Sequence, residues 1–176
     1  MPLALYTFGL FRTPAEDPAN DGFYALNDLV FDEVDAAPGL IARSGYAMDD
    51  GTTPWGAEIY PPFYQERGDG WSPATLSLWE DLESILAFTY GGLHKTAVKR
   101  GHEWFQNGDW PPLVLWWHRS PSPYPTWAEG VERYMKLHAT GPTAEAFSFK
   151  TAFDPAGAAL QIDSVRVRAL KRESPT

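Results

Sequence analysis

The chain has 176 residues, of which 14 are basic and 23 acidic, for a formal net charge of −9. A field of that sign repels a phosphate backbone and excludes a nucleic-acid partner. The absence of cysteine excludes disulfides, thiolate metal sites and cysteine nucleophiles.

Leu3 to Leu10 is apolar and rich in Tyr and Phe, and predicts a buried strand. Thr13 to Gly22, dense in Pro, Asp, Asn and Gly, is a loop. A helix follows, with Phe23, Leu26, Val30 and Val34 on one apolar stripe and Pro38-Gly39 as its stop. Leu40 to Ala47 is a second strand. Asp49 to Ser72 is irregular apart from a short strand at Ala57 to Tyr60, and Pro73 to Trp79 alternates like a half-buried strand. Asp81 to Tyr90 and Leu93 to Phe105 are helices separated by Gly91-Gly92. Leu113 to His118 is the strongest strand signal. Thr126 to Glu129 has the capping-box pattern, in which the Thr and Glu side chains cap each other's backbone N–H, and that helix stops at Gly141-Pro142. Ala146 to Phe149 is a short strand.

One domain is expected at this length, burying roughly 70% of its unfolded surface. The order β-α-β-β-α-β, with an extra helix and a terminal strand, predicts an α+β protein. Its form is the ferredoxin-like split βαβ sandwich, an antiparallel sheet with helices on one face. Residues 1–153 form the domain, and residues 154–176 an extension, either a weak strand over Leu160 to Val167 or a mobile tail. Leu113, Leu115 and Trp117 alternate with Val114 and Trp116, so this strand is apolar on both faces. Helices on one face leave the other open, and a second copy of the chain is predicted to cover it, giving a sheet-on-sheet homodimer. No run approaches the roughly 18 apolar residues of a membrane span. Pro2 to Phe11 lacks the basic flank of a signal peptide, so a cytoplasmic protein without membrane contact is expected.

Aromatic residues make up 15% of the chain, and Trp55, Tyr60, Phe63, Tyr64, Trp71 and Trp110 fall near Pro and Gly in loops. Loops of that kind cover a pocket or a partner. His94 falls on a helix in line with Val98, Gly101 and Phe105. It is a candidate general base, a candidate haem ligand, or a core histidine with both nitrogens satisfied. Arg100 and Trp104 are i, i+4 neighbours that either anchor an anionic substrate against an indole or form a surface ion pair with a nearby carboxylate. Trp116 and His118 share one strand face and Trp117 the other. One of the two tryptophans lines a cavity, the other packs, and His118 is a rim residue. His138, in the last turn of its helix, is a structural cap more than a site. His102 points roughly 80° from His94 on the same helix. Asp49-Asp50-Gly51 and Asp69-Gly70 are turns and not calcium loops. Gly68 and Gly70 lack the third glycine of a dinucleotide loop, since Pro73 stands in its place.

The runs His94…Arg100…Trp104-Phe105, Leu115-Trp116-Trp117, Pro125-Thr126, Glu129…Arg133…Leu137 and Gly141-Pro142…Ala146-Phe147 resemble a family of bacterial and fungal proteins. That family is a domain of unknown function numbered thirty-two ninety-one, within the dimeric α+β barrel superfamily. The resemblance spans Leu3 to Phe153, is sharpest from Trp79 to Phe149, and supplies no catalytic residues. It implies the ferredoxin-like protomer, the dimeric α+β barrel, and a fold shared with antibiotic-biosynthesis-monooxygenase-like proteins. The superfamily also holds haem enzymes, cyclases and stress-response proteins.

The resulting expectation is a cofactor-independent enzyme that oxygenates, cyclises or rearranges an aromatic or polyene-like metabolite. His94 and Arg100 are its catalytic residues, and Trp104, Phe105, Trp116 and Trp117 bind the substrate, with no metal. The alternatives are a small-ligand binding or stress-response protein and a haem protein.

Overall fold

The central strand sends its side chains alternately into two apolar sets, and that alternation organises the molecule. The computed structural model describes residues 1–45, 48, 52–120 and 122–173. In chain order the elements are β1 (Leu3–Phe8), α1 (Asp21–Asp35), β2 (Leu40–Arg43), the hairpin strands β3 (Thr52–Thr53) and β4 (Gly56–Ala57), and β5 (Ala74–Trp79). Then come α2 (Leu82–Thr89), α3 (Gly92–Trp104), β6 (Leu113–Trp117), α4 (Trp127–Thr140) and α5 (Ser164–Glu173).

Four strands pair in the order β2-β5-β1-β6, with every neighbour antiparallel. This is the ferredoxin-like arrangement of an α+β fold, with α1 linking β1 to β2 and α2–α3 linking β5 to β6. The ladder sets the two faces. Leu3 and Leu5 of β1 share a side with Trp79 and Leu115, and beneath them lie Val34 of α1 and Leu82, Ile85 and Leu86 of α2. Ala4, Tyr6 and Phe8 share the other side with Leu76, Leu78, Val114 and Trp116.

That second face is where structure and expectation part. It is closed by the chain itself, since Trp127, Tyr134 and Leu137 of α4 are buried against it. Gly130 lets the helix come close, because a Cβ there would stand 3.1 Å from the Tyr6 ring. Trp55, Tyr60, Phe63, Tyr64 and Trp110 seal the remainder, so five of the six loop aromatics cover the sheet, while Trp71 packs against Phe11. The premise of a sheet-on-sheet dimer, an open apolar face, therefore does not hold.

Three local expectations also change. The strand predicted at Ala57 to Tyr60 is only the second arm of a tight hairpin, Gly56–Ala57. The strand at Ala146 to Phe149 contracts to a bridge in which Leu115 and Phe147 exchange both N–H···O bonds, at 2.8 and 2.9 Å. Over Ser164–Glu173 the extension is a helix and neither a strand nor a tail. Asp163 accepts from the N–H groups of Val165 and Arg166 at 2.9 and 3.1 Å and so starts α5, which lies along α2 and adds Val167 to the apolar layer. Arg166 pairs with Asp81 at 2.6 Å and fixes this helix to the start of α2. Tyr46, Ala47, the Asp49-Asp50-Gly51 turn and Pro121 lie outside the described residues.

Candidate functional site

Beyond Leu115 the outer edge of β6 loses its partner, because Phe147 bridges that residue and the chain then turns away. Backbone groups of an antiparallel strand alternate in direction, so Trp117 presents its N–H and C=O on the side that Leu115 uses for Phe147. A groove of about 620 Å³ opens there, a volume suited to a small molecule. Trp117, Arg119, Glu129, Arg133 and Glu145 line it together with residues 155–157. The Trp117 indole is pinned by its N–H donating to the Phe153 carbonyl at 2.7 Å. Arg119 donates to the carbonyl of Pro155.

Glu129 is the third residue of α4, where a capping box would turn its carboxylate back to the helix start. Only half of that box forms. Thr126 accepts from the Glu129 N–H at 3.2 Å, but Glu129 Oε1 instead accepts from the Trp116 indole N–H at 2.9 Å. Its second oxygen stands 3.8 Å from Nδ1 of His118. His118 is buried, with Nε2 2.9 Å from the Ser122 carbonyl and Nδ1 without a hydrogen-bond partner. It is therefore not the rim residue predicted.

Arg133, one turn along α4, is short of acceptors. Its contacts to Glu129 and Glu145 are long, at 3.8 and 3.9 Å, it donates to the Glu145 carbonyl at 3.4 Å, and its Nε is buried with no partner. Lys136 takes the Glu145 carboxylate more closely. A guanidinium with five donors and such loose contacts is equipped to receive an anion.

The six residues singled out from sequence do not come together. Trp117 lines the groove and Trp116 packs behind it, so one tryptophan of the pair does each job. Trp104 is buried with Phe11 and Ala15, and Phe105 stacks on Phe11. Arg100 lies over the Trp104 ring at 4.9 Å and pairs with Glu103 at 2.9 Å, the surface ion pair. His94 lines neither this groove nor the smaller hollow at Arg67 and Asp69. Its Nδ1 is 3.1 Å from the Thr89 carbonyl, and its ring packs 4.5 Å from that of Phe88. The inner stripe of α3 is also not the predicted one, because Val98 is exposed and Trp104 is the residue buried.

Burial lowers the His94 imidazole below its ordinary value, opposed by the Thr89 carbonyl and the Glu33 charge. Burial pushes the phenols of Tyr6 and Tyr134 upward, so both remain neutral hydroxyls on the closed α4 face. His138 packs edge-on against Phe63. Among the described residues no group of three or more His, Asp or Glu side chains could hold a metal, and no helix is long and apolar enough to cross a membrane.

Arg119, Glu129, Arg133 and Glu145 line the groove and were not selected by sequence reasoning. A signal existed for two of them. Glu129 and Arg133 stand i, i+4 on one strongly patterned helix, and both lie within a run that carries the family resemblance. The chain belongs to the family described as Domain of unknown function (DUF3291), whose model matches residues 2–163. A search of the curated proteins finds no match.

Proposed function

We propose that the chain is a small-molecule enzyme working without a bound cofactor, and that the groove at the end of β6 is its site. A ring-bearing anion lies against Trp117, with its negative group on Arg133 and Arg119. The observation that carries this proposal is Arg133, whose donors outnumber its acceptors on the wall of a groove of ligand size. The chemistry is rearrangement or oxygenation of an electron-rich aromatic or polyene-like metabolite, begun by removal of a proton. The resemblance to dimeric α+β barrel proteins supports that class by analogy alone.

The residues proposed for the groove all come from one chain, and a homodimer would form through a surface other than the closed sheet. The lack of cysteine suits a reducing compartment such as the cytoplasm.

The test is binding of phenylpyruvate, an aromatic carboxylate, followed by ligand-observed NMR with wild type and Arg133→Gln. Loss of a charge-assisted contact, roughly 1.5–3 kcal/mol, weakens binding about 10- to 100-fold. Equal affinity in the two proteins would overturn the assignment. A non-catalytic binding protein is the second reading, favoured by the openness of the groove to solvent. It predicts a ligand recovered unchanged.

A further inference from the structure

Behind the groove lies a buried pair whose geometry is unfinished. The His118 side chain is 4% exposed, and its Nε2 faces a carbonyl oxygen that can only accept, so Nε2 carries a hydrogen. In that tautomer Nδ1 carries the lone pair of the ring. It has no hydrogen-bond partner and stands 3.8 Å from Glu129 Oε2. With Nδ1 bare, a lone pair faces a carboxylate oxygen. One added proton, on either atom, turns that opposition into attraction. The pair thus offers one position at which a proton can be shared between its two members.

Glu129 connects this position to the groove. Its carboxylate is 23% exposed and lines the cavity, while the Trp116 N–H holds Oε1 in place. The charges around it are Arg133 on its own helix, His118 from the end of β6, and Arg119 and Glu145 on the groove walls.

We propose that Glu129 is the general base of the site, with His118 as the positioning residue that takes up the charge behind it, and that the substrate class is an aromatic 2-oxo acid. The assignment rests on the groove being the site. The ring lies on Trp117, the carboxylate and carbonyl oxygens face Arg133 and Arg119, and the C–H beside the carbonyl faces Glu129. That C–H bond breaks, its electron pair becomes the C=C bond, and the carbonyl π pair moves onto oxygen as an enolate held by the guanidinium. The proton goes to Glu129 and is shared with Nδ1 of His118. Its return to oxygen or carbon completes a tautomerisation, with no oxidant or reductant consumed.

The experiment is hydrogen–deuterium exchange at the methylene of phenylpyruvate in D₂O, using the full chain, with binding read by NMR in the same samples. The expected result is exchange at least 10-fold above the buffer rate, reduced to the buffer rate in Glu129→Gln. That variant keeps an oxygen for the Trp116 N–H, and its binding stays within about threefold. His118→Asn slows exchange and displaces its pH profile without weakening binding, a change that a purely structural role would not produce. Should that variant fail to fold, the imidazole signals of His118 in the wild type provide the second readout, and they move when phenylpyruvate binds. Binding without exchange, or full exchange in Glu129→Gln, would overturn the base assignment and leave the groove intact. No binding at all would overturn both.

Discussion

Two places in this molecule combine the same three parts, a histidine, a backbone carbonyl and a glutamate, and put them to opposite use. At the start of α3, Nδ1 of His94 meets the Thr89 carbonyl at 3.1 Å, and Glu33 of α1 accepts from the backbone N–H groups of Leu93 and His94 at 3.1 and 3.0 Å. At the end of β6, Nε2 of His118 meets the Ser122 carbonyl at 2.9 Å, and Glu129 is drawn away from its helix by the Trp116 indole. Glu33 is used up as a cap for another helix. Glu129 is released from capping and left facing both a cavity and an imidazole nitrogen without a partner. Whether a carboxylate beside a histidine is scaffold or chemistry depends here on what its lone pairs already serve.

The largest effect that separates the two comes from removing the indole that holds Glu129. Trp116 is 1% exposed, and Trp116→Ala should cost about 3–5 kcal/mol in denaturant unfolding. Trp116→Phe tests the contrast more finely, because it keeps most of the packing while freeing Glu129 to return to the Thr126 N–H. Phenylpyruvate exchange should fall further than stability does. Exchange unaltered in a folded Trp116→Phe protein would mean that the indole does not position Glu129.

Next in size is the loss of affinity in Arg133→Gln, about 10- to 100-fold, alongside Arg100→Gln, which removes a surface ion pair and should leave binding unchanged. Binding lost in Arg100→Gln and kept in Arg133→Gln would reverse the comparison. Smaller again, Glu33→Ala removes the cap of α3 and should lower stability by about 1 kcal/mol, with exchange retained.

The smallest effect is in pH. His94 is held below its ordinary value by burial, so the unfolded chain binds its proton more readily than the native one. Its contribution to stability is therefore present above the unfolded value, about 6.5, and is lost as pH falls below it. Denaturation midpoints measured from pH 7 to pH 5 should decline less steeply in His94→Gln. An identical slope in the two proteins would show that burial does not depress this imidazole.

Much of the fold was legible because its signals are local. The apolar run at Leu3–Phe8, the alternation in Leu113–Trp117, the Gly91-Gly92 break and the Thr126 cap each depend on neighbours in sequence. What lay beyond reading was which long-range partner each apolar surface meets. A strand apolar on both faces signals two coverings but not their source, and α4 of the same chain supplies the second. The extension misled for a similar reason. Val165 and Val167 alternate with arginines as a strand would, yet the Asp163 cap starts a helix that packs on α2.

The site was legible only in part. Trp117 was selected for its pattern, but Glu129 read as a capping residue, since its rival donor, the Trp116 indole, is 13 positions distant in sequence. His94 was preferred to His118 because helical periodicity placed it inward, although burial and availability are different properties.

The eight tryptophan indole N–H groups allow a direct decision between the two regions. In a ¹⁵N-labelled protein titrated with phenylpyruvate, the Trp117 and Trp116 indole signals should move together, while that of Trp104, beneath Arg100, stays in place. A shift centred on Trp104, with Trp116 and Trp117 unmoved, would contradict the assignment of the site to the end of β6.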